Sequence, residues 1–276
     1  MDKRAKKIIL KSKKQVYSDM LGNNPSIFQG EGFEFSELRE YLYGDDVRKI
    51  DWKSSAKLGK PYVKVYKEER ELNVVVASML NGSTYFGTHK QKIDIIAELT
   101  GLLGFIAIKN SDRFTNALFA DKLYELTKPT KKFFSVHQAV ERVSNFDPLG
   151  KDGDFRGMVD TLYKRLRKKS LLFILSDFVC DIDLRTLAKK HDVVAVMVRD
   201  RFEENPRELG ALNMIDMESK KSFEGMIDGS AVAGYKKALH DNDEKLYVDF
   251  KKHGIRFIKV YTDENVAMKL AKLFRK

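Results

Sequence analysis

Residues 72–80 read LNVVVASML, a near-continuous apolar run rich in Val. β-Branched side chains favour extended backbone. An unbroken apolar run, rather than an alternating one, marks a strand covered on both faces. Similar runs follow at 170–176 (SLLFILS) and 193–198 (VVAVMV), and 255–261 gives a last strand.

Helical patterns lie between them. Ile93, Ile96, Leu99, Leu103 and Ile106 recur at three and four, and Leu102, Phe105 and Ile108 widen that face, which predicts a central helix. Further helices are expected at 133–143, 155–166, 184–191, 235–253 and 264–274. Segments 113–120 and 122–127 read as a tight hairpin, 212–217 as another strand, and 225–229 as a turn region. This alternation predicts an α/β fold with a mostly parallel, doubly wound sheet and helices on both faces. The functional crevice of such a sheet lies at the carboxyl ends of its central strands, here 81–84 and 177–180. The first residues do not share the pattern. They predict an N-terminal extension, 1–70, ahead of an α/β domain, 71–276.

Composition narrows the function. The chain has 276 residues, 43% hydrophobic, enough to bury a core. Its one cysteine, Cys180, excludes an internal disulfide and a Cys-rich metal site. His89, His137, His191, His240 and His253 are dispersed, with no metal-ligand spacing. There is no P-loop pattern and no Gly-Xaa-Ser-Xaa-Gly elbow. The best apolar run, 99–108, is too short to span a bilayer, so the expected location is cytoplasmic.

The net charge of +11 is unevenly spread. Residues 1–14 hold seven Lys/Arg and one acid, residues 31–51 hold seven acids and three bases, and 53–70 turn basic again. A basic N-terminus suits an anionic membrane surface or a nucleic acid, and a place peripheral to the inner membrane. No aromatic-plus-basic RNA-binding signature accompanies it.

Residues 30–70 read GEGFEFSELREYLYGDDVRKIDWKSSAKLGKPYVKVYKEER. Gly30, Gly32, Glu34, Phe35, Arg39, Tyr41, Gly44, Asp45, Asp46, Arg48, Ile50, Asp51, Trp52, Ser55 and Ala56 stand in the order of a known signature. The stretch closely resembles the domain-of-unknown-function 58 family. The resemblance extends through Leu175-Ser176-Asp177-Phe178 and covers residues ~25 to ~230. It implies a von Willebrand factor A-like domain working beside a MoxR-type AAA+ ATPase, as a non-enzymatic adaptor or scaffold that binds a partner protein. Many relatives carry membrane helices ahead of the signature, whereas this chain starts too close to it, so a soluble member is expected.

Domains of that type often hold Mg²⁺ with an Asp-Xaa-Ser-Xaa-Ser motif, a Thr and a second Asp, because a hard cation takes oxygen ligands. Here the motif falls on Met79-Leu80-Asn81-Gly82-Ser83. The first carboxylate is replaced by a thioether, a poor ligand for Mg²⁺. Asn81, Ser83, Asp154 and Asp177 remain as a degenerate set. The alternative is that Asp177 accepts backbone N–H groups and Asn81-Gly82 makes a turn.

Arg39, Tyr41, Asp45, Asp46, Arg48, Asp51 and Trp52 admit two readings. One is a partner-binding epitope or a hidden acid/base pair. The other is a capping and ion-pair network, in which Asp45 starts a turn and Arg39 and Arg48 grip Asp46, Asp51 or Glu34. Trp52, the only Trp, is expected to anchor an interface or a core edge. The adaptor function, with Asp177 on the contact face, is the first expectation. A peripheral membrane or nucleic-acid module using residues 1–14 is the alternative, and carboxylate hydrolase chemistry at Asp45, Asp46 and Asp51 is a third.

Overall fold

The computed structural model describes residues 2–18, 32–69 and 71–274. In chain order they form α1 (Lys3–Ser18), β1 (Gly32–Glu40), α2 (Trp52–Leu58), β2 (Tyr62–Glu69), β3 (Asn73–Met79) and α3 (Lys92–Lys109). Then come β4 (Arg113–Phe119), β5 (Leu123–Leu126), α4 (Phe133–Ser144), α5 (Phe155–Arg165), β6 (Leu171–Ser176) and α6 (Arg185–Ala188). The chain continues with β7 (Asp192–Arg199), α7 (Arg201–Glu204), β8 (Gly210–Ile215), β9 (Ser222–Ile227), α8 (Gly229–Lys252), β10 (Arg256–Tyr261) and α9 (Val266–Phe274).

The six-stranded sheet has the order β10-β7-β6-β3-β4-β5. Its pairings are parallel except β4 with β5, the expected hairpin. Val75, Ala77 and Met79 pack into one core with α5, α6 and α8. Val74 and Val76, on the alternate face, are equally buried, and α3 packs on β3, β4 and β7. Helices therefore cover both faces, which is why the strands are unbroken apolar runs. The chain enters at β3, moves to β4 and β5, then returns to β6 on the other side of β3. The order thus reverses between β3 and β6, so their carboxyl ends flank the crevice.

The expected boundary near residue 70 falls between Leu72 and Asn73, but the expectation that residues 1–70 form one segment apart from the α/β domain is corrected. The described chain forms two compact units: α1 groups with the chain from Asn73 onward, and the other unit lies within Phe28–Leu72. The charge-dominated start hides an amphipathic pattern. Ala5, Ile9, Ser12 and Val16, at i, i+4, i+7 and i+11, are buried as α1 packs on α3, α4 and α9. Ser12 fits because Gly101 of α3 lacks a side chain; a Cβ there would lie 2.9 Å from the Ser12 hydroxyl. The expected turn at 225–229 is also corrected, because Gly225 lies within β9 opposite Leu212 of β8. A Cβ on Gly225 would lie 2.6 Å from the Met214 methyl, the mobile end of a flexible side chain.

The smaller unit is an antiparallel β1–β2 hairpin whose connection holds α2. Gly30 and Arg70 of the signature lie outside the described residues.

Candidate functional site

The crevice is built from the ends of β3 and β6 and the start of α3. After β3, residues Gly82–Tyr85 form a short 3-10 turn that brings Ser83 toward Asp177, which follows β6. The Ser83 hydroxyl donates to Asp177 Oδ2. Gly82 is required here, since its Cβ would fall 2.3 Å from the Met217 carbonyl oxygen. Phe178, next to Asp177, holds φ 53, left-handed backbone that a bulky residue rarely adopts. Its burial against Phe250 and the Asn242 Nδ2 bond to its carbonyl at 3.0 Å keep it there.

The third member is Lys92, the first residue of α3. Its ammonium lies 2.9 Å from Asp177 Oδ2 and 2.5 Å from Glu203 Oε1. Lys92 is 0% exposed and Asp177 1%. Burial favours the neutral carboxyl of Asp177, yet Lys92 and Ser83 outweigh it and lower its pKa to about 2. Burial likewise opposes the charge on Lys92, but Asp177 and Glu203 raise its pKa above the ordinary value. The result is a closed triad of one ammonium between two carboxylates. Glu203 is fixed in turn by the capping box of α7, where its Oε2 accepts from Asp200 N at 2.9 Å.

A second buried network continues along the same strand ends. Arg199 Nη2, at the end of β7, donates to Asp243 Oδ1 of α8 at 2.8 Å. Lys259 Nζ binds Asp243 Oδ2 at 2.7 Å and Glu204 Oε1 at 2.6 Å. Asp200 accepts from Thr88 N at 2.9 Å and from the Thr262 hydroxyl.

The four degenerate metal ligands are not assembled. Ser83 and Asp177 meet, but Asn81 Nδ2 donates to Glu218 and Asp154 caps α5 by accepting from Gly157 N at 2.8 Å. Among the described residues there is no cluster of three His, Cys, Asp or Glu side chains suited to a metal. The donor set does not fit a resident Mg²⁺, because the Lys92 ammonium already supplies the positive charge that Asp177 and Glu203 face. Nor is Asp177 a useful general base for Ser83, since a carboxylate of pKa about 2 has too little proton affinity to take the hydroxyl proton at neutral pH. Asp177 is also corrected as a contact residue: it is a buried counter-ion that a partner cannot touch. Cys180 is a free thiol whose pKa burial pushes up to about 12, which suppresses the reactive thiolate.

Beside the triad lies an open groove of about 360 Å³ between Phe86, Phe202, Pro206, Ile227, Val232 and Tyr235. Glu203 also lines it, and the Phe86 and Phe202 rings are 6.3 Å apart. Sequence reasoning missed both Lys92 and this groove. One signal for Lys92 was available: a lysine at the first position of a helix opposes the helix dipole, although the sequence does not say which carboxylate offsets it.

In the smaller unit, the signature residues are occupied with one another. Arg39 grips Asp45 through two nitrogens, at 2.8 and 2.6 Å. Asp45 also accepts from Leu42 N at 2.9 Å, in a turn that Gly44 allows with φ 106. Arg48 pairs with Asp46, which caps the 3-10 turn Val47–Lys49. These contacts lower the pKa values of Asp45 and Asp46. Asp51 caps α2 by accepting from Lys53 N at 3.1 Å and Ser54 N at 3.3 Å. Tyr41 contributes a backbone bond from its N–H to the Pro61 carbonyl. Trp52, expected at an interface or a core edge, is 70% exposed, which rules out the core edge.

Comparison with known proteins agrees with the signature. The family described as "Protein of unknown function DUF58" matches residues 37–245. Uncharacterized proteins of Mycobacterium tuberculosis and Mycobacterium bovis are 28% identical over 215 residues, covering 75% of this chain and 68% of theirs. Among solved structures, the conserved hypothetical protein BatB from Bacteroides thetaiotaomicron is similar at a TM-score of 0.45 and 9% identity, over 73% of this chain and 96% of that one. An aerotolerance-related membrane protein from Bacteroides fragilis gives a TM-score of 0.44 and 8% identity, with the same coverage.

Proposed function

The chain belongs to the DUF58 family, and on that footing we propose that it is a non-enzymatic, von Willebrand A-like adaptor that binds a partner protein at its strand-end face. The observation that carries this is the Lys92 ammonium held between Asp177 and Glu203. In a metal-dependent face the cation meets the partner's carboxylate. Here the charge is internal and already neutralised, so recognition falls to the exposed surroundings. Both oxygens of Glu203 are engaged, which leaves the neighbouring groove without a free charge. It suits an apolar anchor from the partner. The partner class implied by the resemblance is a MoxR-type AAA+ ATPase or that ATPase's client, and the expected setting is the cytoplasm.

The test is affinity capture with the full tagged chain from extract of the source cell, once with Mg²⁺ and once with a chelator. Equal recovery of an AAA+ ATPase in both, abolished by Tyr235→Glu in the groove, supports the adaptor. Recovery of no AAA+ ATPase, or recovery only with Mg²⁺, overturns it.

A further inference from the structure

The outward side of α1 is a strongly basic surface. The helix KRAKKIILKSKKQVYS contains no acid. Its bases divide by position. Arg4 is paired with Asp94 and Lys11 with Glu98, both on α3, so these two bind the helix to the domain. Lys3, Lys6 and Lys13 recur at helical spacing on the opposite side with Lys7 beside them, all exposed. Leu10 lies within the same stripe and is 59% exposed.

α4 packs beside α1 and extends this surface. Burial first and the charge of Lys13 second depress the pKa of His137, which places Lys13 close to α4. The start of α4 reads Lys131-Lys132-Phe133-Phe134, with Phe134 66% exposed. Its first turn has no acid, and its N-cap Lys132 makes no side-chain cap bond. Bases at a helix N-terminus oppose the dipole, and exposed Phe gains nothing from the core. Helix stability therefore does not account for this sequence.

We propose that the α1–α4 face docks on a lipid surface carrying anionic headgroups. Lysines supply attraction to the headgroups, while Leu10 and Phe134 enter the boundary of the acyl region. The buried side of α1 is already spent on α3, so the contact is flat and peripheral, made by a folded helix rather than by an unfolding tail. Large aliphatic and aromatic side chains set among lysines favour lipid over nucleic acid, whose backbone rewards charge alone.

The experiment is co-sedimentation of the full chain with vesicles of mixed phosphatidylglycerol and phosphatidylcholine, against pure phosphatidylcholine and against duplex DNA. Binding to the mixed vesicles is expected, weakening as salt rises. A Lys3→Glu, Lys6→Glu, Lys7→Glu, Lys13→Glu variant should bind them on the order of 1,000-fold more weakly. Phe134→Ser, which leaves every charge in place, should weaken vesicle binding several-fold with unchanged thermal unfolding. Absence of vesicle binding, equal binding to neutral vesicles, or indifference to both variants overturns the proposal. So does DNA binding tighter than vesicle binding and insensitive to Phe134→Ser, which would make this a nucleic-acid face.

Discussion

Replacing Lys92 by Met keeps most of the side-chain volume and removes the ammonium. Asp177 and Glu203, 1% and 14% exposed, then face each other without a cation. Breaking a buried pair by deleting one partner costs about 3–5 kcal/mol. That is a large share of the roughly 5–15 kcal/mol by which domains are stable. The loss also has a pH signature. With Lys92 present, the Asp177 pKa is lowered from 3.8 to about 2, so its contribution is full above 3.8 and fades as pH falls toward 2. Without Lys92, burial raises that pKa, and the variant should recover relative stability as pH falls and the carboxyls protonate. A Lys92→Ala variant, which does vacate the cation position, leaves two carboxylates and the Ser83 hydroxyl around it, so Mn²⁺ should stabilise that variant in proportion to the logarithm of concentration. Urea unfolding followed by near-ultraviolet circular dichroism reads all three effects. Trp52 fluorescence is unsuited, because that residue is exposed in the other unit. A cost below about 1 kcal/mol, the range of an exposed pair, would refute the closed triad.

Other outcomes are specific. His191 is buried with both ring nitrogens unpartnered, and burial lowers its pKa to about 4. The unfolded chain therefore takes up this proton first as pH falls below the ordinary value of 6.5, and stability drops down to about pH 4. His191→Leu should flatten that limb in acid unfolding, and an unchanged limb would refute the assignment. Asp243→Asn should destabilise the chain by about 3 kcal/mol, since it strips Arg199 and Lys259 of a shared carboxylate; chemical denaturation measures it. Gly82→Ala should cost about 2 kcal/mol or more through collision with the Met217 backbone, and a silent substitution would contradict the close approach. Asp45→Ala should speed amide exchange at Leu42 while leaving β3 and β6 protected, because its bonds lie within the smaller unit.

The sheet was legible because its signal is strong and local. Val74 to Met79 and Leu171 to Leu175 are short unbroken apolar runs that fit strands covered on both faces, and the chain's return past β3 places the crevice between them. The meeting of Ser83 with Asp177 followed from that placement. Lys92 did not, because its partners lie 85 and 111 residues away and nothing local marks the pairing. α1 was obscured for a different reason. Its seven bases outweighed four small or aliphatic positions, Ala5, Ile9, Ser12 and Val16, whose spacing carries the fold. The strand β9 was hidden by Gly225, a residue type depleted in strands, which reads locally as a turn. In the signature, the carboxylate–guanidinium pairing was readable as chemistry, but which Arg takes which Asp depends on turn geometry that residue order does not specify.

The claim on which the account rests is that an ammonium occupies the place of a metal ion. Anomalous diffraction from crystals of the unmodified chain soaked in Mn²⁺ addresses it directly. The account predicts continuous density for Lys92 between Asp177 and Glu203 and no anomalous peak beside Ser83. A Mn²⁺ peak coordinated by Asp177 and Ser83, with the Lys92 side chain displaced, would contradict it.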